Sequence, residues 1–384
     1  NPEIIHLLEE QKLKSKDESY QVVFEEAIKC HHNDIANYIL ENYINDKNNT
    51  ESTVPLRCYN YLFIEKESIN ASSFYDLCKY DYYQLVNFIL MNEDIDINEV
   101  HSNTINSVKI FTVTEKDPPF DVEVDQEEDI NKTALSVSVE RGNDKIVSLL
   151  LSNEKIDVNF KYVTTTREMP PNESFDPNKY ESKKTVLAMA VENKDTKIVD
   201  LLLKNKTVNP NIMCKSLIDH SWGPGEKPEY EIKTEKTPLY IAVENEDDKM
   251  VQLLLSCDQT DVNAICKYSS TYYKFVPKKL GDIIAFGDYV NGFSKAHQKY
   301  NNIEQTALHC AVEKGNAKIV ELLLRNENID INAIYKNTND HKWQKNENFG
   351  EDKDTEKTAL CIAIENEFND IVQLLLENEK IDVN

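Results

Sequence analysis

The densest group of potential metal ligands in the sequence is Cys30-His31-His32. Cysteine thiolates and histidine imidazoles are the ligands that zinc prefers, but a structural zinc site takes four of them, arranged as spaced pairs. The chain has no second cluster of this kind and no C-x-x-C motif. We therefore predict that these three residues, in a turn between two helices, hold no metal.

Acid–base chemistry has two kinds of candidate. His309 could act as a general base, and glutamates recur at one position of a repeated pattern: Glu140, Glu192, Glu244, Glu313 and Glu365. A carboxylate that returns in every repeat is more typical of a solvated or capping position than of one half of an acid pair. The sequence also lacks G-x-S-x-G, H-E-x-x-H and a glycine-rich phosphate loop. It predicts no enzyme, no cofactor and no small-molecule substrate.

The cysteines are scattered along the chain, at Cys30, Cys58, Cys78, Cys214, Cys257, Cys266, Cys310 and Cys361. Without paired spacing they indicate free thiols in a reducing compartment, so we expect a cytoplasmic protein, with association with the cytoskeleton as a further expectation. Three of them, Cys78, Cys310 and Cys361, occupy helix positions where a small apolar residue packs. We interpret those three as structural rather than catalytic.

Charge and hydropathy exclude two classes of partner. The formal net charge is −25, whereas a nucleic-acid surface needs a basic stripe that displaces counterions. No run of 18 apolar residues exists that could span a bilayer, so we predict no membrane insertion. An acidic exterior either attracts basic partners or simply keeps the protein soluble, and both interpretations stay open.

A 28-residue pattern returns along the chain and must position most of these residues. Its fullest copy is QTALHCAVEKGNAKIVELLLRNENIDIN at 305–332. Thr306 predicts the cap of a short buried helix, Gly315-Asn316 predict its end, and a second helix with apolar residues on two sides follows. The ending Ile329-Asp330-Ile331-Asn332 predicts a turn into extended chain. A partial repeat at 1–20 precedes copies at 21–48, 71–98, 132–159, 184–211, 236–263, 305–332 and 357–384.

The motifs TALH and TPLY, the IVxLLL core and the closing DVN resemble the ankyrin repeat, whose family motif is T-P-L-H-x-A. This resemblance implies a mainly α fold, an ankyrin-type α-solenoid of stacked helix pairs, in which His309 is a structural residue that fixes the tight turn. The glycine after the first helix survives only as Gly142 and Gly315. Elsewhere Asn193, Asn245 and Asn366 stand one position earlier, and we predict that they supply the left-handed conformation of the helix stop.

The segments between repeats, which we call fingers, are much longer than the roughly five residues that an ankyrin period of about 33 leaves. We expect long projecting β-hairpins, or else loops without regular structure. In the 99–131 finger, the β-prone runs 108–114 and 120–124 flank Pro118-Pro119. We expect 1–384 to form a single elongated ankyrin-repeat domain, a fragment of a longer array, because the chain begins at Asn1 rather than Met. The fingers are 49–70, 99–131, 160–183, 212–235, 264–304 and 333–356.

Two fingers differ from the others in charge. Finger 99–131 has nine acidic residues against two lysines, whereas finger 264–304 has six lysines against three acidic residues and is rich in aromatic residues. Basic, tyrosine-rich surfaces are typical of interface hot spots, although the aromatic residues could instead form a small core beneath the finger. The predicted partner-binding residues are Tyr268, Tyr272, Tyr273, Phe275, Lys278, Lys279, Phe286, Tyr289 and Phe293.

Three functions remain compatible with this pattern. The first is a non-enzymatic scaffold that binds partner proteins through a concave helix face and the fingers, as the resemblance implies. The second is a structural component of a self-associating or larger assembly such as a cytoskeletal lattice, held by oppositely charged fingers. The third is the targeting arm of an enzyme whose catalytic domain lies outside this chain.

Overall fold

The computed structural model describes residues 71–92, 95–113, 120–169, 177–220, 229–277, 293–342 and 354–383. The predicted repeats 1–20 and 21–48, the finger 49–70 and the Cys30-His31-His32 cluster lie outside these residues. The chain divides into two compact units. One comprises the described residues up to His101 together with Thr133–Asp157, and the other comprises Ser102–Lys132 and Val158–Asn384.

The first unit contains two helix pairs. Its helices are α1 Ala71–Lys79, α2 Tyr83–Asn92, α3 Ala134–Glu140 and α4 Asp144–Leu151. Helix α1 packs against α3, and the core is formed by fully buried side chains of all four helices, such as Phe74, Ile89, Leu135 and Leu150. Asn143 also donates a hydrogen bond from Nδ2 to the Cys78 carbonyl at 3.0 Å.

The second unit contains four further helix pairs, each in one 28-residue copy. Their first helices pack in a row, α5 against α7, α7 against α9 and α9 against α11, and the second helices form a parallel row behind them. The bounds are α5 Val186–Glu192, α6 Thr196–Lys204, α7 Pro238–Glu244, α8 Asp248–Leu255, α9 Ala307–Glu313, α10 Ala317–Leu324, α11 Ala359–Glu365 and α12 Asn369–Leu376.

A threonine precedes each of the first helices α3, α5, α7, α9 and α11 as its N-cap residue. In α5 the Ala188 N–H donates to Thr185 Oγ1 at 3.3 Å, and in α7 the Tyr240 N–H donates to Thr237 Oγ1 at 3.2 Å. These bonds satisfy amide groups that a helix N-terminus leaves free. The first helices are buried almost all round, as α5 is from Val186 to Val191, because neighbouring helices cover more than one side.

The helix stops differ from the prediction. Asn193, Asn245 and Asn366 have φ values of −72°, −80° and −91°, so none is left-handed. The positive φ falls one residue later, on Lys194, Glu246 and Glu367, at 58°, 54° and 58°. These positions align with Gly142 and Gly315, whose φ values are 71° and 68°. Asp81, at the same position of the 71–98 copy, has a φ of 61°. The turn is therefore the same in all the described copies, and four side chains accept a conformation that favours glycine.

The asparagine that ends each copy joins it to the next one. Asn211 Nδ2 donates to the Gln259 carbonyl at 2.7 Å, and Asn211 Oδ1 accepts from the Asp261 N–H at 2.7 Å. Asn159, Asn263 and Asn332 make the same two kinds of bond to the turn that follows. One amide side chain thus serves as donor and acceptor across each junction.

The prediction of a mainly α fold is wrong, because the described residues form a ten-stranded antiparallel sheet beside the helices. The strands form one antiparallel sheet in which each strand pairs with its neighbours in chain order. The ten described strands are β1 His101–Val113, β2 Phe120–Lys132, β3 Lys161–Glu168, β4 Asn178–Thr185, β5 Cys214–His220, β6 Glu229–Lys236, β7 Cys266–Pro277, β8 Phe293–Gln305, β9 Tyr335–Lys342 and β10 Thr355–Lys357.

The fingers do not project separately, because each pairs with the next. The β4 strand of one finger pairs with β5 of the following one, with Lys183 opposite Lys215 and Tyr180 opposite Ile218. The reason lies in two spacings. Packed helices lie about 8–10 Å apart, and two strands span about 9.6 Å, so each copy advances by the width of one hairpin. Neighbouring hairpins then meet at hydrogen-bonding distance, and pairing satisfies edge groups that separate hairpins would leave open.

Candidate functional site

The sheet has two chemically different faces, because alternate residues of a strand point to opposite sides. One side carries residues that stand opposite one another on β3 to β7, namely Thr164, Ser182, Ser216, Thr234 and Tyr268. We call this side the inner face. This face looks toward the first helices of the second unit, where Lys184 and Lys236 at the strand ends reach α5 and α7. The opposite side is the outer face.

The outer face is covered by ion pairs. Arg167 binds Asp129 at 2.6 Å and Glu127 at 3.2 Å, Lys215 binds Glu235 at 2.6 Å, and Lys267 binds Glu304 at 2.9 Å. Hydrogen bonds from Thr104 and Arg167 lower the pKa of Asp129. Exposed pairs of this kind contribute little stability individually, about 0–1 kcal/mol each. Their effect is to leave this face with most of its charges already matched.

Between the inner face and helices α5 and α7 lies a groove with a volume of about 600 Å³. Hydroxyl groups dominate its sheet side, where Ser216 Oγ and Thr234 Oγ1 lie 2.6 Å apart. Its apolar contributions come from Ile218 on the sheet and Ile241 on α7. The volume lies within the range of about 300–1,000 Å³ that is typical of ligand sites.

The inner face carries polar atoms that no described protein group satisfies. Ser182 Oγ, Asn301 Oδ1, Gln305 Oε1 and Asn337 Oδ1 are buried without a hydrogen-bond partner in the described part of the chain. All four residues stand in inner-face register positions. A buried polar atom without a partner costs free energy. This concentration distinguishes the inner face from the outer one.

A ladder of lysine–glutamate pairs follows the junction between the sheet and the first helices. Lys184 Nζ binds Glu192 at 2.6 Å, Lys236 Nζ binds Glu244 at 2.7 Å, and Lys357 binds Glu365. Each lysine is the first residue of a copy, and each glutamate is the last residue of its first helix. Three of the five recurring glutamates, Glu192, Glu244 and Glu365, therefore bind lysines that recur at the start of the copies.

The copy at 305–332 breaks this ladder. Gln305 replaces the lysine, and its Nε2 donates to Tyr240 Oη at 2.5 Å. Burial raises the pKa of Tyr240, whose ring also lies 5.9 Å from Lys236 Nζ. Glu313, at the glutamate position, has no ion-pair partner among the residues that the structure describes.

His309 is a structural residue. It is 1% exposed, the Thr306 N–H donates to its Nδ1 at 3.2 Å, and its Nε2 lies 3.0 Å from the Ala333 carbonyl oxygen. Burial lowers the pKa of His309 to about 4. The imidazole thus fixes the start of α9 and the turn after α10, and it has no route to a substrate in the groove.

A row of aromatic rings extends along the inner face beyond the groove. His220 stacks on Tyr230 with ring centroids 4.9 Å apart, and Tyr230 lies 5.9 Å from Tyr272, which is 38% exposed. The cross-strand register explains this, because His220 stands opposite Tyr230 and Tyr230 opposite Tyr272.

The structure places only part of the predicted partner-binding set. Tyr268 and Tyr272 lie on the inner face. Tyr273, Phe275 and Phe293 lie in β7 and β8, but only their backbone is described. Four others lie outside the described residues, namely Lys278, Lys279, Phe286 and Tyr289. Partner binding by this set stays a prediction.

Sequence reasoning missed the groove residues Ser182, Ser216, Thr234 and Lys236, and it identified Glu244 only as a recurring carboxylate. The lysines and glutamates did carry a signal, since a lysine opens most copies and a glutamate follows eight residues later. The row of hydroxyl groups at Ser182, Ser216 and Thr234 had no signal in the sequence, because it depends on the register between different fingers.

A family model described as "Ankyrin repeats (3 copies)" matches residues 99–214, 169–266 and 288–384. The chain belongs to the ankyrin repeat family. Ankyrin repeats generally mediate protein–protein interaction and are typically non-enzymatic modules. A search of the curated proteins found no match.

Two further observations apply to the described part of this ankyrin-repeat chain. No group of three or more histidine, cysteine, aspartate or glutamate side chains is arranged there to hold a metal ion. Among the same residues, none of the helices combines the length and the apolar character that crossing a bilayer requires.

Proposed function

We propose that the protein binds a segment of a partner protein along the inner face of the sheet and the first helices, seated in the groove that α5 and α7 form with the sheet. The observation that supports this most strongly is the groove itself, of about 600 Å³, with Ser216 and Thr234 on its sheet side and Ile241 on α7. Its hydroxyl groups would hydrogen-bond the peptide groups of a bound segment, and its apolar side chains would pack against that segment.

The contrast between the two faces supports the choice of side. On the outer face, Arg167, Lys215 and Lys267 are matched by carboxylates within the protein. A partner that docked there would either break these pairs or remove the water around them. Both cost free energy, and exposed pairs contribute too little stability to offset that cost. The inner face offers hydroxyl and amide groups together with Tyr230 and Tyr272, a combination suited to adaptable protein contacts.

A pair of variants on one strand tests the groove. Thr234 and Lys233 are neighbours on β6 and point to opposite faces. Thr234→Trp would fill the groove, whereas Lys233→Trp would place the same ring on the outer face. Affinity purification from the native cell, quantified by mass spectrometry, would compare the two variants with the unaltered chain.

Loss of a specific partner protein with Thr234→Trp alone would support the proposal. Loss with both variants, or with neither, would contradict it. Thermal unfolding of both variants must accompany the comparison, because Thr234 also contacts Ser216. A matched melting temperature assigns any lost binding to the groove itself.

A further inference from the structure

The copy at 305–332 leaves one position of the lysine–glutamate ladder unfilled. In three other copies of the second unit, a lysine ammonium group contacts the glutamate that ends the first helix, as in Lys184–Glu192, Lys236–Glu244 and Lys357–Glu365. The spacing is eight residues in each. Three parallel examples therefore show that a cation fits beside this carboxylate in the geometry of the repeat.

In the exceptional copy an uncharged side chain stands at the lysine position, opposite the glutamate position that Glu313 occupies. Gln305 directs its amide N–H to Tyr240 Oη at 2.5 Å, and its Oε1 is buried without a hydrogen-bond partner in the described chain. Glu313 is exposed and lacks an ion pair among the described residues. The nearby Lys357 is already bound to Glu365. No described side chain takes the place that lysine occupies in the other copies.

The surroundings of Glu313 are also electrostatically unmatched. Although Glu313 as a whole is exposed, the protein atoms around its carboxyl group partly desolvate it, which raises its pKa. The charges of Lys314 and Lys357 act in the opposite direction and do not offset this. The carboxylate in turn adds to the effect of burial in raising the pKa of Tyr335 and the pKa of the Cys310 thiol. A positive charge beside Glu313 would relieve all three effects.

We infer that Glu313 receives one lysine or arginine side chain of the partner segment, in the place that the ladder lysine takes beside Glu192, Glu244 and Glu365. The inference rests on the proposed function and names the chemistry that this position selects. A cationic side chain supplies several N–H donors, which match the two oxygens of a carboxylate. A single carboxylate supplies too few ligands to hold a metal ion. The formal charge of −25 favours the approach of a basic segment.

The test uses two pools of nine-residue peptides with all other positions randomised. One pool has arginine or lysine at the centre, and the other has the uncharged analogues citrulline or acetyl-lysine. The full chain is immobilised, and the retained peptides are quantified by mass spectrometry. Five proteins are compared: the unaltered chain, Gln305→Lys, Glu313→Gln, Glu327→Gln and the groove variant Thr234→Trp. Gln305→Lys restores the residue of the other copies, and Glu327→Gln removes an exposed charge elsewhere in the same copy.

We expect the unaltered chain to retain the cationic pool about fivefold more strongly than the neutral pool, the effect of an ion pair of about 1 kcal/mol. The preference should disappear in Gln305→Lys, because the new lysine occupies Glu313, and in Glu313→Gln. It should persist in Glu327→Gln.

Three results would overturn the inference. A cationic preference that survives in Gln305→Lys would place recognition elsewhere. Equal retention of both pools, blocked by Thr234→Trp, would leave the groove function standing without the cation site. Retention of neither pool would contradict both.

Discussion

The imidazole of His309 lies in a buried capping box at the start of α9, where burial lowers its pKa from 6.5 to about 4. The folded state therefore keeps His309 neutral, while the unfolded chain takes up a proton below pH 6.5. As the pH falls from 6.5 to about 4, this residue removes stability, and the full difference of 2.5 pH units corresponds to about 3 kcal/mol.

Ser136 provides the matched replacement, because it forms the same kind of box with Thr133, whose N–H donates to Ser136 Oγ at 2.8 Å. We expect His309→Ser to lose less stability than the unaltered chain between pH 6.5 and 4. Urea unfolding at several pH values measures the difference. Parallel stability curves for the two proteins would show that His309 does not titrate with a lowered pKa.

The positive φ of Lys194 predicts a stabilising substitution. A side chain in the left-handed region costs about 1–2 kcal/mol, and glycine avoids this at a smaller entropic cost. We expect Lys194→Gly to raise the free energy of unfolding by about 0.5–1 kcal/mol, whereas Asn193→Gly, at a φ of −72°, should bring no gain. Chemical denaturation distinguishes them, and a gain at Asn193 rather than Lys194 would refute the assignment of the turn.

At Gly315 the glycine is already present in the left-handed conformation, so replacing it should destabilise the protein. This glycine has a φ of 68°, and an added Cβ would lie 3.0 Å from Phe368 Cζ. Gly315→Ala should lower the free energy of unfolding by about 1–2 kcal/mol.

The junction asparagines give a further residue-level expectation. Asn211 bonds across to both Gln259 and Asp261, so Asn211→Ala removes a donor and an acceptor at once. We expect a loss of about 1–2 kcal/mol, somewhat more than one typical hydrogen bond contributes. Asn205, whose side chain bonds only within its own turn at Thr207, serves as the control. Equal losses for Asn211→Ala and Asn205→Ala in thermal unfolding would argue against a role in joining copies.

At the scale of elements, the hydrogen bonds between neighbouring fingers distinguish this fold from an array of helices with isolated hairpins. Shortening the 212–235 finger to a tight turn would remove β5 and β6, and β4 and β7 would each lose a neighbour. We expect amide hydrogen exchange at Lys179–Lys183 and at Lys267–Tyr272 to accelerate by about tenfold or more, since each lost pairing lowers local stability. Unchanged exchange in both segments would mean that fingers are ordered independently.

The helices could be predicted from the sequence, and the sheet could not. Thr306, the apolar residues after it and Gly315 act within a few residues of one another, so the start and stop of α9 follow from local chemistry. Strand β4 has the sequence Asn178–Thr185, NKYESKKT, without alternation of apolar and polar residues, because both of its faces are polar. Its partners are fixed by the advance from copy to copy, which no short window contains.

The candidate site was predictable only in part, for the same reason. The first-helix glutamates were recognised as recurrent, but their lysine partners lie on the strands that precede them. The hydroxyl row from Thr164 to Thr234 joins fingers whose register was unknown. Tyr268 and Tyr272 stood out by composition, whereas His220 and Tyr230 became their neighbours only through strand pairing.

At the scale of the whole molecule, the charge of −25 is distributed unevenly, with the nine acidic residues of finger 99–131 contrasting with the six lysines of finger 264–304. If copies of the chain associate through these fingers, the average mass in sedimentation velocity should fall between about 50 and 500 mM salt, as exposed charges are screened. A monomer at both salt concentrations would contradict self-assembly and favour partner binding alone.

The alternation of side chains along the strands restricts how these fingers can change in length. Adding or deleting one residue inside β5 would turn Lys215 toward the helices and Ser216 toward solvent, exchanging the two surfaces beyond that point. Strands β7 and β8 avoid this with a register shift, in which Lys274 faces His297 while Phe275 faces Lys295. Divergent relatives should therefore vary in finger length by even numbers of residues, at the hairpin tips, or together with a bulge that restores the phase.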